Sequence, residues 1–206
     1  VVGALYDGGA NQGAAYIFER NEGGIDNWGQ MKKLTASDAG AGDSFGCSVG
    51  IFGDTIIVGA LGDNMLMGSA YIFKRNEGGQ DNWGEVRKLV PSDGANQDRF
   101  GAHVSIHADT AVVSSHNDDI GVNNDQGSAY VYERNHGGLN NWGEVTKLTA
   151  SDGLNGDWFG SSLSIFNDAL VVGAQRSNSY QGSAYVYARN HGGPDNWGEV
   201  TKLTAS

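Results

Sequence analysis

Residues 45–75 read FGCSVGIFGDTIIVGALGDNMLMGSAYIFKR, and this stretch returns through the chain with one period. Its Phe-Gly pair recurs at Phe100 and Phe159, 55 and then 59 residues on. Its Gly-Ser-Ala-Tyr recurs at Tyr130 and Tyr185, and Gly-Ala-Ala-Tyr precedes it at Tyr16. Asn-Trp-Gly follows every copy, at Trp28, Trp83, Trp142 and Trp197. A chain with so regular a period is a repeat array, and the period bounds the architecture before any single residue does. What recurs in every copy builds the repeat, so function is to be sought where the copies differ.

Within one copy the pattern divides into four strand-like segments. Segment A starts at Phe-Gly, and alternation predicts Phe45, Cys47, Val49 and Ile51 on one face. Two-residue turns of hairpin length follow, Gly53-Asp54, Ala108-Asp109 and Asn167-Asp168. Segment B is apolar on both faces, as at Ile56-Ile57-Val58, and is therefore covered on both. Segment C is the Ala-Tyr strand, ending AYIFER, AYIFKR, AYVYER and AYVYAR in the four copies. Segment D follows Asn-Trp-Gly with alternating charge and suits an outer edge. Four short antiparallel strands per unit, one of them buried on both sides, predict an all-β fold: a β-propeller of four-stranded antiparallel blades, about 55 residues per repeat.

The combination of Phe-Gly, Val58-Gly59-Ala60, Val172-Gly173-Ala174 and Gly-Ser-Ala-Tyr resembles the FG-GAP repeat of integrin α-subunit propellers. The Lys-Leu-Thr-Ala-Ser-Asp segment at Lys147–Asp152 makes the bacterial-type variant the nearer likeness. The resemblance covers the whole chain. It implies a secreted or cell-surface propeller acting as a binding or structural module. Repeats of this type often carry an Asp-rich calcium loop between their first two strands. Here that place holds only a two-residue turn with one Asp, too few oxygens for the six to eight that calcium takes. The usual calcium site of the family is not carried over.

Segments B, C and D occur four times and segment A three times. One array over residues 1–206 is expected, with a partial blade at 1–37 and blades at 45–92, 100–151 and 159–206, forming part of a longer array. Further repeats or another copy of the chain are expected to complete the partial blade beside Val1–Ala4, because a bare apolar strand edge is a template for pairing.

The net charge of −11, from 24 acidic and 13 basic residues, disfavours nucleic acid and anionic membrane as partners. No apolar run approaches the ~20 residues of a membrane helix. The single Cys47 has no intramolecular disulfide partner and reads as a small core thiol. No nucleophile–base pair, phosphate loop or Cys-based metal spacing recurs, so no enzyme is expected.

Antiparallel order puts the B–C and D–A loops on one face of the array. The C–D loops of the other face are nearly invariant, and their Asn and Gly residues suit tight turns. The B–C loops differ between copies in length and chemistry, as binding loops do. Candidate ligand contacts are Asp63, Met65, Met67, Asp118, Asp119, Asp125, Trp158 and Tyr180. The D–A loops carry Asp pairs five apart, Asp38/Asp43, Asp93/Asp98 and Asp152/Asp157, and calcium is to be sought at these pairs or at the Asp118–Asp125 loop of the same face. His103 and His107 share a strand without a third ligand and make a weak zinc signal. The function expected is a non-catalytic, extracellular or cell-surface binding, adhesion or assembly module with a protein or glycan ligand. The alternative is a lectin-like propeller stacking sugars on Trp158 or Tyr180.

Overall fold

The computed structural model of the chain describes residues 1–204, whose regular structure is almost entirely antiparallel β. The first sheet has three strands, β1 (Val2–Ala4), β2 (Ala14–Arg20) and β3 (Trp28–Leu34). The second comprises β4 (Phe45–Phe52), β5 (Thr55–Ala60), β6 (Ser69–Arg75) and β7 (Trp83–Leu89). The third comprises β8 (Val104–His107), β9 (Thr110–Ser115), β10 (Ser128–Glu133) and β11 (Gly143–Leu148). The fourth comprises β12 (Phe159–Phe166), β13 (Ala169–Ala174), β14 (Ser183–Arg189) and β15 (Trp197–Thr204). Strand order within each sheet follows chain order, so each sheet is a meander. The sheets are the blades of a β-propeller.

The core lies between sheets. Each of three apolar clusters joins one sheet to the next. Ile17, Leu34 and Ala36 of the first sheet meet Phe45, Ile56, Val58, Tyr71, Phe73 and Trp83 of the second. Ile57 and Leu89 then meet Phe100 and Trp142, and Val112 and Leu148 meet Phe159 and Trp197. The two-sided apolarity of segment B is explained: Ile56 faces the preceding sheet and Ile57 the following one. Each Phe-Gly phenylalanine sits edge-on to two rings of its own sheet. Phe45 lies 5.5 Å from Tyr71 and 6.0 Å from Phe73, and Phe100 and Phe159 repeat the arrangement. Burying such a side chain contributes about 1.5–3 kcal/mol, against about 0–1 for an exposed ion pair. The clusters therefore hold the sheets together, and the polar contacts set their register.

Two irregularities decide where side chains point. In β4, Phe45 pairs with Ala60 but Val49 with Val58, so three residues stand opposite Gly59 alone. Gly46 opens this bulge at φ +87°, a left-handed conformation that a side chain resists. The strict alternation expected for segment A is corrected here. Cys47 lies inside the bulge, and its Sγ reaches the Gly101 carbonyl at 3.3 Å in the following sheet, away from Phe45. Gly59 is required at the same place, since a Cβ there would lie 1.9 Å from the Gly101 oxygen. The second bulge is in segment D. Ile72 pairs with Arg87 but Phe73 with Glu85, leaving Val86 over; the other three sheets do the same. Without it, Glu85 and Lys88 would face opposite ways. With it, both reach the preceding sheet: Glu85 accepts from the Ser37 N–H and hydroxyl at 2.9 Å, and Lys88 Nζ lies 2.6 Å from Asp38.

Inner strands are also tied to one another. Val104 N donates to Ser48 Oγ at 3.0 Å, and Ile165 N to Ser105 Oγ at 3.3 Å. The two outermost faces expose what the junctions elsewhere bury. Trp28 is 63% exposed where Trp83 is 2%, and Leu203 is 53% exposed where Leu89 is 2%.

Candidate functional site

Each junction carries a polar group on the B–C and D–A loop face. Lys147 Nζ lies 2.7 Å from both Asp93 and Asp118, and the Tyr130 hydroxyl donates to Asp93 at 2.8 Å and Asp118 at 2.9 Å. Lys88, Asp38, Asp63 and Tyr71 repeat the set. In the fourth sheet Ser177 stands where the others have Asp63 and Asp118, so Lys202 keeps Asp152 alone. Burial pushes the Asp93 carboxyl up, but the Lys147 ammonium and Tyr130 hydroxyl together outweigh it and hold it below its usual range. Burial likewise works against the Lys147 charge, and Asp118 and Asp93 more than restore it. Asp38, Asp93, Asp152, Asp63 and Asp118 are thus engaged in joining sheets.

The second Asp of each pair faces elsewhere. Asp43 accepts from Gly40 N at 2.5 Å, Asp98 from Ala95 N at 2.6 Å and Asp157 from Leu154 N at 2.8 Å. Each closes its own loop. Among the described residues no three His, Cys, Asp or Glu side chains group in a way that suits a metal ion. His103 and His107 part company: His103 lies 6.3 Å from His116, while His107 sits between Phe52 at 4.5 Å and Phe166 at 4.9 Å.

On this frame the B–C loops are presented differently from sheet to sheet. In the second sheet, Asn64, Met65 and Leu66 all take positive φ, as do Asn178, Ser179 and Tyr180 in the fourth. Such conformations are costly for side chains and persist only when neighbours fix them. Here Arg99 N and Phe100 N donate to the carbonyls of Leu66 and Met67, at 2.8 Å each. The turn holds Met65 70% exposed and Tyr180 77% exposed, while Met67 is half-buried beside Gly94. Trp158 is covered: the Arg176 guanidinium lies 3.2 Å from its ring centroid and the His116 ring 5.2 Å away. Burial pushes His116 down to about 4, so it packs there as neutral imidazole.

The longer loop of the third sheet builds a polar cleft of about 310 Å³ with the preceding D–A loop. It is lined by Asn96, Gln97, Asp98, Asn117, Asp119, Asn124 and Asp125. Asp119 Oδ1 accepts from Asp125 N, and Asp125 Oδ1 from Asn117 Nδ2, both at 2.8 Å. Burial first, and the charges of Asp118 and Asp119 after it, push Asp98 up to about 6. The structure thus brings together Asp98, Asp119 and Asp125, which spacing alone assigned to separate groups. Asn96, Gln97 and Asn117 were not singled out by the sequence. The four extra residues of the loop were the available signal, since an insertion must be accommodated by its neighbour.

Sheets joined face to face through a repeated aromatic and ionic junction, with variable loops at one end, define a blade-repeat propeller. The sequence pattern of the FG-GAP repeat matches residues 28–73, 83–132 and 142–187, more than half of the chain, and the chain belongs to that family. FG-GAP repeats are found in extracellular propellers of the binding and adhesion type, generally non-enzymatic. A search of curated proteins finds no match. No helix among the described residues is long and apolar enough to cross a membrane.

Proposed function

We propose that the chain is a non-catalytic extracellular or cell-surface module that binds a protein partner through its B–C and D–A loop face. The observation that carries this reading is the contrast between constant junctions and variable loops. The Tyr–Lys–Asp group recurs at each junction, whereas the loops above it present Met65, Tyr180 or the Asp98–Asp119–Asp125 cleft. A scaffold held constant beneath changing loops is how rigid folds support recognition. Arg176 covers the Trp158 ring, which leaves the exposed Tyr180 as the ring a sugar-stacking alternative would use.

The test is a binding screen of the chain against arrays of secreted proteins and of glycans, paired with deletion of Gly121–Asn124. The expected result is a protein ligand lost on deletion, with the β-sheet circular dichroism retained. A ligand unaffected by the deletion, or a set of hits made up of glycans alone, would overturn the reading.

A further inference from the structure

The opposite face, at the A–B turns, carries a departure from the repeat that the loop-face reading does not use. Segment C of the sequence ends in an arginine in every copy, Arg20, Arg75, Arg134 and Arg189. From the second sheet on, each reaches back to the sheet before it. Arg75 pairs with Glu19. Arg189 donates from Nη1 to Glu133 at 2.5 Å and from Nη2 to Thr110 Oγ1 at 2.7 Å. Arg134 keeps the equivalent bond to Thr55 Oγ1, at 3.1 Å, and lies 3.0 Å from Asp109 of its own sheet. But the position filled by Glu19 and Glu133 holds Lys74 in the second sheet. Among the described residues, Arg134 meets no carboxylate of the preceding sheet and Lys74 pairs with none at all.

Exchange of Glu for Lys makes this junction two charge units more positive than its counterpart at Arg189, in a chain of net charge −11. Lys74 and Arg134 both line an open pocket of about 340 Å³ with Thr55, Phe52 and two carboxylates, each beside an arginine: Asp109 at Arg134 and Asp54 3.4 Å from Arg75; Phe52 is 42% exposed. A guanidinium already oriented by Thr55 and Asp109 loses little freedom on meeting a further acceptor, and its fork suits a carboxylate. In the two sibling junctions the acceptor is a glutamate side chain. We propose that the Lys74–Arg134 pocket binds the carboxylate of a glutamate side chain offered by a partner protein, which takes in trans the place that Glu19 and Glu133 take within the chain.

The test is an amide NMR titration of the full chain at low salt with acetyl-Gly-Glu-Gly-amide, its Gln counterpart and glucuronate. The Glu peptide is expected to give saturable shifts at Thr55, Lys74, Ala108, Asp109 and Arg134, which weaken as salt is raised; the Gln peptide is expected to give none. Lys74→Glu restores the sibling junction and is expected to abolish the shifts with the fold intact. Lys74→Gln, which serves should the first variant not fold, is expected to weaken binding at least about tenfold, the scale of one charge-assisted hydrogen bond. Absence of shifts with the Glu peptide, equal shifts with the Gln peptide, shifts that survive in a folded Lys74→Glu variant, or an affinity unchanged in Lys74→Gln would overturn the proposal. Binding of glucuronate without the peptide would overturn its assignment to a protein side chain.

Discussion

Trp83 and Trp28 open equivalent strands and pair with equivalent arginines, Arg75 and Arg20. They differ in what lies against them. Trp83 is packed into the junction with the first sheet, under the Arg75 guanidinium at 5.2 Å, and is 2% exposed. Trp28 is 63% exposed. Truncating a buried Trp to Ala costs about 3–5 kcal/mol, transfer and cavity together. With about a third of its surface covered, and a fully buried Trp removing ~150–250 Å² from water at ~25 cal/mol per Å², Trp28→Ala should cost about 1–2 kcal/mol. Urea unfolding of the two variants under one condition measures the difference through the midpoints, provided the slopes agree. A gap of about 1–4 kcal/mol is expected from these ranges. Equal costs would refute the reasoning that each Trp is stabilised by the sheet before it. Altered slopes would point instead to separate unfolding of single repeats.

The raised carboxyl of Asp98 makes a pH prediction. Its folded pKa of about 6 exceeds the ordinary 3.8. Across that window the folded chain keeps a proton that the unfolded chain has lost, so stability falls as pH rises through it. Asp98→Asn, which retains an acceptor for Ala95 N, should raise Tm at neutral pH and leave it nearly unchanged below the window; the same shift at both would refute this. For calcium, Asp38, Asp93 and Asp152 already accept from Lys and Tyr, and Asp43, Asp98 and Asp157 from backbone N–H groups. Calcium should therefore leave Tm where chelator leaves it. A Tm that rises with added calcium would show that these carboxylates rearrange around the ion.

The period made the sheets legible: Phe-Gly, Ala-Tyr and Asn-Trp-Gly recur at fixed spacing because their rings meet at every junction. What the sequence could not convey were the irregularities that turn side chains round. Cys47 belongs by parity with Phe45, yet a left-handed Gly46 sends it the other way. Glu85 and Lys88 are three apart and belong by parity on opposite faces, yet the bulge at Val86 aims both at the preceding sheet. The Asp pairs suffered the same ambiguity. A spacing of five grouped Asp38 with Asp43, but the fold turns one to the next sheet and the other to its own loop. The cleft beside Asp98 was legible only as an inserted loop, since its second wall comes from Asn96 and Gln97, some twenty residues earlier. Lys74 was visible as a departure from Glu19 and Glu133, but the partner of those glutamates is apparent only once the sheets are stacked.

The stretches that match the family begin at a segment D and end within the next segment C. Each therefore straddles two sheets, and residues 28–73 contain most of one apolar cluster, from Leu34 and Ala36 through Phe45 to Tyr71 and Phe73. What such a stretch carries is the greater part of a seam between blades. Breaking the chain in a C–D loop leaves most of the apolar seam on one fragment, Leu34 and Ala36 with Phe45, Tyr71 and Phe73, and parts only its polar ties, Ser37 from Glu85 and Asp38 from Lys88. A break between D and A instead parts Leu34 and Ala36 from Phe45, Tyr71 and Phe73, and the polar ties with them. Copying, shuffling or grafting of these units should thus be better tolerated at the Asn-Glu-Gly-Gly and Asn-His-Gly-Gly loops than between D and A, which makes those loops the natural joints for gene duplication and for engineered chimaeras.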